Sequence, residues 1–91
     1  MTGAKMREAA RIALKGIRAA VEASAIRHAD RRAAELYLLV TGCNVPQVLA
    51  AEVAACTKQN VSKLLAAAEE RRDNPDFDAA LSRIERAILG E

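Results

Sequence analysis

The stretch from Val45 to Asn74, VPQVLAAEVAACTKQNVSKLLAAAEERRDN, constrains this chain more than any other. It reads as a short apolar helix, a tight four-residue turn and a longer helix. The second helix opens with exposed polar side chains and closes with charges. A helix-turn-helix that reads nucleic acid needs that arrangement.

The punctuation around this stretch sets the remaining elements. Asn44 is a favoured N-cap, Pro46 is tolerated in a first turn, and Gln47 completes a pair resembling a capping box. A third helix is therefore expected from Asn44 to about Ala55, with Val45, Val48, Leu49, Val53 and Ala54 on its core face. Thr57 is read as the N-cap of a fourth helix, Lys58 to about Arg72. Its core face is Val61, Leu64, Leu65 and Ala68, at i, i+3, i+4 and i+7. Asn74-Pro75 is a stop followed by a start. A fifth helix from Pro75 to Leu89 carries Phe77, Leu81, Ile84 and Ile88 on one face and ends at Gly90.

Upstream, residues 4–27 read as one long amphipathic helix beginning at Thr2 or Gly3. Met6, Ala9, Ala10, Ala13, Ile17, Ala20, Val21 and Ser24 form its apolar stripe. Gly16 falls in its middle and marks a bend or a close helix contact. Asp30 is the expected N-cap of a second helix, Arg31 to about Thr41. Its residues Ala34, Leu36, Tyr37, Leu38 and Val40 cover most of the circumference, which makes it the central buried helix. Gly42 is expected to end it in a left-handed conformation.

Ninety-one residues allow one modest core, and alanine supplies much of the apolar share. Phe77 and Tyr37 are the sole Phe and Tyr, there is no Trp, and no segment alternates apolar and polar for long. The expected fold is all-α, with about five helices and no sheet. Residues 1–32 hold eight Lys/Arg against three acids, whereas residues 64–91 hold four Arg against seven acids. This asymmetry suggests one face that meets a polyanion and another that avoids it.

Several function classes recede. Cys43 and Cys56 lack metal-ligand spacing and read as small reduced residues near the core. His28 stands alone, with no nucleophile-base pair in reach. Glu69, Glu70, Asp73, Asp76 and Asp78 gather at one helix junction without a glycine-containing calcium loop, so capping and surface solubility account for them. No enzyme, cofactor, metal or small-molecule substrate is expected. The N-terminus has no signal-peptide pattern, and no stretch is long enough to span a bilayer. The first helix lacks the bulky face of a membrane-surface binder. A cytoplasmic, nucleoid-associated protein is expected.

With positions 61, 64, 65 and 68 turned inward, the opening of the fourth helix turns Lys58, Gln59, Ser62 and Lys63 outward, with Asn60 on the flank. Lys serves phosphate or guanine, Gln and Asn can pair with adenine, and Ser bonds either. The positive end of the helix dipole adds attraction for phosphate.

Four motifs occur in order: Arg32 ahead of the LYLL run, the start NVPQV, the segment KQNVSKLL, and the tail EERRDNPDFDAALSRIERAI. In these, from about Arg32 to Leu89, the chain resembles the C-terminal DNA-binding domain of the bacterial replication initiator DnaA and its small stand-alone relatives. The resemblance covers about two thirds of the chain and implies a helix-turn-helix of the Trp-repressor or DnaA-domain kind. No GxxxxGK[ST] run occurs, so the initiator's ATPase is absent. The family reads bases with an Asp-His-Thr-Thr run, whose positions fall here on Thr57, Lys58, Gln59 and Asn60. The family's target sequence therefore does not carry over. Its loop Gly-Arg becomes Ala55-Cys56, which removes a phosphate-binding Arg. Its basic segment corresponds to Arg27, Arg31 and Arg32, with Arg32 the foremost candidate.

The resulting expectation is a basic amphipathic helix over residues 1–29 and a DnaA-like helix-turn-helix domain over residues 30–91. Double-stranded DNA is the expected partner, bound in the major groove by residues 58–72, in regulation of transcription or replication initiation. DNA contacts are assigned to Arg27, Arg31, Arg32, Thr57, Lys58, Gln59, Asn60, Ser62 and Lys63. The first helix either packs back on the domain or forms a homodimer. The alternative function is a helical protein-interaction adaptor that keeps the fold without base readout.

Overall fold

The computed structural model describes residues 3–90, with Leu89 by its backbone alone. The described chain is all-helical: α1 (Ala4–Glu22), a 3₁₀ turn (His28–Asp30), α2 (Arg31–Tyr37) continued by a π turn (Leu38–Gly42), α3 (Gln47–Val53), α4 (Lys58–Arg71) and α5 (Pro75–Leu89). Thr2, one of the two residues expected at the start of α1, lies outside the described residues. Gly3 is the N-cap.

The α2–π segment is the hub, as its apolar circumference predicts. Leu36, Leu38 and Leu39 are fully buried, and α1, α3, α4 and α5 all pack on this segment. Leu14, Ile17 and Val21 of α1 join Ala50 and Ala51 of α3, Val61 of α4 and Phe77, Leu81 and Ile84 of α5 in one core. The first helix thus packs back on the domain. Arg18 reinforces the contact: its Nε donates to Oε1 of Glu35 at 3.3 Å, and Glu35 is the one buried charged residue among those described. Leu14, absent from the expected stripe, is buried, whereas Met6 and Ala9 are exposed. The buried face therefore runs through 10, 14, 17 and 21. Ile12 points away from it.

The helix ends differ from expectation where a side chain found a stronger partner. Helix α1 stops at Glu22 rather than residue 27, because Ser24 captures the backbone. Its Oγ donates to the Val21 carbonyl at 2.6 Å and accepts the Ile26 N–H at 3.1 Å, the local competition by which Ser breaks helices. Asp30 makes no capping bond; the 3₁₀ turn runs directly into α2, and Oδ2 accepts from Arg71 Nη2 at 3.1 Å. Gly42 does not turn left-handed. The α2 segment widens into a π turn, with Cys43 N–H bonded to the Leu38 carbonyl, and Asn44 takes the positive φ of 56°. Asn tolerates that region because its short polar side chain bonds locally. With Asn44 so placed, it cannot cap α3; Pro46 occupies the N-cap and Gln47 forms no capping box. Consequently α3 is shorter than expected, and Val48 faces solvent while Ala50 and Ala51 are buried.

Downstream the sequence signals hold. Thr57 Oγ1 accepts the Asn60 N–H at 3.0 Å. Asn74 Oδ1 accepts from the N–H groups of Asp76 and Phe77, and Pro75 follows it. Gly90, at φ 76°, ends α5.

Candidate nucleic-acid interface

Residues Ala54–Thr57 connect α3 to α4, and their geometry decides where α4 begins. The Cys56 N–H bonds the Ala51 carbonyl at 2.9 Å and the Ala55 N–H bonds the Glu52 carbonyl at 3.2 Å. These are the two bonds of a Schellman ending, which needs a left-handed residue at position 55. Ala55 supplies it at φ 55°, unusually for a residue with a Cβ. Arg32 completes the cap, its Nη2 donating to the Ala54 carbonyl at 2.8 Å. The foremost phosphate candidate from the sequence is therefore half-buried and engaged in ending α3.

Two residues on, extended Thr57 starts α4. Val61 is fully buried, and Leu64 and Leu65 are half-buried. This fixes the rotation of the helix, leaving Lys58, Gln59, Asn60, Ser62 and Lys63 exposed. Ser62 Oγ donates to Gln47 Oε1 at 2.9 Å, tying the patch to the first turn of α3. Gln47, read from sequence as a cap, belongs to this surface instead.

The electrostatics of the patch run against helix stability. The first turn of α4 contains no acid, although the N-terminal end of a helix dipole favours negative charge. Lys58 occupies the first helical position and Lys63 the second turn. Neither has a carboxylate at ion-pair distance among the described residues. Two unpaired ammonium groups beside the positive end of a helix add their fields, and an anion placed there relieves both.

The three arginines of the basic segment do not converge on this patch. Arg31 is half-buried and directs Nε to the Ile26 carbonyl at 3.5 Å. Arg27 is exposed and lines an open groove of about 410 Å³ with Arg71, Asn74, Phe77 and Arg83. That groove lies at the C-terminal end of α4, and thirteen residues at the helical rise separate Arg71 from Lys58, about 20 Å. Of the nine expected contact residues, Thr57, Lys58, Gln59, Asn60, Ser62 and Lys63 form one surface, Arg32 adjoins its connector, and Arg27 and Arg31 lie elsewhere.

No group of three His, Cys, Asp or Glu among the described residues is arranged to hold a metal ion. Cys43 and Cys56 are free, half-buried thiols, and burial pushes the Cys43 thiol above its ordinary value near 9. His28 is exposed in the 3₁₀ turn. Asp76 and Asp78 lie in the first turn of α5, where they complement its dipole. No described helix is long and apolar enough to cross a membrane.

No protein-family model matches this chain, and no curated protein or solved structure matches it significantly.

Proposed function

We propose that the protein binds double-stranded DNA, with α3 and α4 acting as a helix-turn-helix and the opening of α4 entering the major groove. The observation that carries this reading is the cationic, acid-free first turn of α4, a charge placement that costs the helix stability. Such local violations of folding preference are where function is expected. Lys58 and Lys63 would bond phosphates, while Gln59, Asn60 and Ser62 are types that bond base edges. The resemblance to the DnaA DNA-binding domain points the same way and suggests a regulator of transcription or replication initiation at the bacterial nucleoid. The different residues at 57–60 imply a target site of its own.

Titration of generic duplex DNA at two salt concentrations tests the proposal. Affinity should fall steeply with salt, and a Lys58→Ala/Lys63→Ala variant should flatten the dependence by about 0.9 logarithmic unit for each phosphate no longer neutralised. Absence of binding at low salt would reject it.

Exposed Val48, 60% accessible on α3, favours a second reading, an adaptor that docks a protein partner beside the same patch. An adaptor predicts no DNA binding at low salt and loss of partner capture in Val48→Glu.

A further inference from the structure

With one face of α1 buried in the core, its opposite face leaves an apolar side chain without an occupant among the described residues. Ile12 is 64% exposed, the most exposed large hydrophobic residue among those described. It forms one wall of an apolar groove of about 280 Å³ between α1 and α5, with Ala13, Gly16, Ala20, Ala87 and Ile88.

Gly16 sits one turn beyond Ile12 on the same face. A Cβ at position 16 would meet nothing within 4 Å, so no contact among the described residues requires glycine there. Glycine in a helix interior weakens the helix, and its usual structural return is close approach of another backbone. No backbone among the described residues makes that approach here.

The charges on this face identify the visitor. Viewed down α1, Glu8 and Lys15 lie on one flank of Ile12, 40° and 60° from it at 100° per residue. Ala9, Gly16 and Ala20 lie on the other flank, where Lys5, 20° from Ile12 and two turns toward the N-terminus, is the one charge. If a second α1 lies antiparallel with Ile12 opposite Ile12, two-fold symmetry keeps each flank facing its own kind. Glu8 then stands opposite Lys15 of the second copy, with an axial offset of about 1.5 Å from the helical rise. The same pair recurs by symmetry, and the small residues close the other side. Within the chain, the only ion contact of Glu8 among the described residues is a loose one to Arg11 at 3.9 Å. Lys15 has none there.

We infer that the protein forms a two-fold homodimer through the Ile12–Gly16 face of α1, packed antiparallel on the same helix of a second copy and flanked by two Glu8–Lys15 pairs. This inference is independent of DNA binding.

Sedimentation equilibrium of the full chain tests it, with far-UV circular dichroism to confirm helicity of each variant. The wild type should sediment as a dimer. Ile12→Glu alters an exposed side chain, so it should stay folded and sediment as a monomer. Glu8→Lys or Lys15→Glu alone places like charges opposite each other twice and should weaken the dimer roughly tenfold, whereas Glu8→Lys/Lys15→Glu should restore it to within about threefold. A wild type monomeric at every concentration up to about 1 mM overturns the inference. So does a dimer indifferent to Ile12→Glu, or a double variant no tighter than the single ones.

Discussion

Arg72 and Glu85 meet in a two-point contact, with Nη1 3.1 Å from Oε2 and Nη2 3.0 Å from Oε1. The same guanidinium donates to Asp78, to Ser82 Oγ at 2.9 Å and to Tyr37 Oη at 3.2 Å, and it lies 5.6 Å from the centroid of the Tyr37 ring. One side chain at the end of α4 thus binds α5 and the central helix together. The bond to Glu85 is the main reason the guanidinium holds its proton more tightly than an ordinary Arg, despite partial burial.

Arg72→Ala should destabilise the protein by about 1–3 kcal/mol, because partly buried Glu85 and Asp78 lose their shared donor. Arg72→Lys should recover little of this, since a single ammonium cannot reproduce the planar fork. Urea unfolding of both variants measures the effect. A Lys variant as stable as the wild type would show that charge alone, without the bidentate geometry, supplies the stabilisation.

Ala55→Gly should stabilise the fold. Ala55 holds φ 55° to close the Schellman ending of α3, a region costing a Cβ-bearing residue about 1–2 kcal/mol. Glycine removes that penalty but gains unfolded-state entropy, so a net increase of roughly 0.5–1 kcal/mol is expected. A decrease in the urea midpoint would show that the strain is absent.

These local features divide what could be read from sequence from what could not. Val61 and Ala68, the cap at Thr57 and the Asn74-Pro75 start were legible because each depends on residues within four positions. The exposure of Lys58, Gln59, Asn60, Ser62 and Lys63 on one stretch of α4 was legible for the same reason. Arg32 was not: its bond to the Ala54 carbonyl spans 22 positions. Arg71 likewise draws Asp30 out of its capping role from 41 positions away. Asn44 misled because the same residue type suits both an N-cap and a left-handed turn, and the preceding π turn decided between them. Leu14 was missed because alanines on neighbouring faces of α1 blur its apolar stripe.

Removal of the Arg32 side chain beyond Cβ should therefore affect folding before it affects any ligand. Arg32→Ala leaves the Ala54 carbonyl without its charged donor, at a cost of about 1–3 kcal/mol. The loss should appear as faster amide exchange at Ala55 and Cys56, which close the end of α3. Unchanged exchange at both would mean that water replaces the guanidinium without penalty.

The raised thiol of Cys43 gives stability a pH dependence. In the folded chain, burial disfavours the thiolate, so the folded state keeps its proton to higher pH than the unfolded state does. Below the unfolded value the contribution is fully present, and it is lost as pH rises from about 9 through the folded value. Unfolding free energy should thus fall as pH rises above about 9, and Cys43→Ala should flatten that part of the profile. An identical slope in the variant would exclude Cys43 as its source.

Within the α4 patch, the proposed DNA contacts separate into two kinds that should fail differently. Lys58, at the helix start, is a phosphate ligand on this reading, so Lys58→Ala should weaken binding about equally on all duplexes. It should also reduce the slope of log affinity against log salt by about 0.9. Gln59 is uncharged and exposed beside it. Gln59→Ala should leave that slope unchanged while costing about 1–3 kcal/mol on the preferred duplex and far less on a scrambled one. Selection from a random duplex pool, followed by salt titration on the winner and a scrambled control, measures both quantities. Equal losses on both duplexes for Gln59→Ala would remove that residue from base readout and leave the patch a phosphate-binding surface.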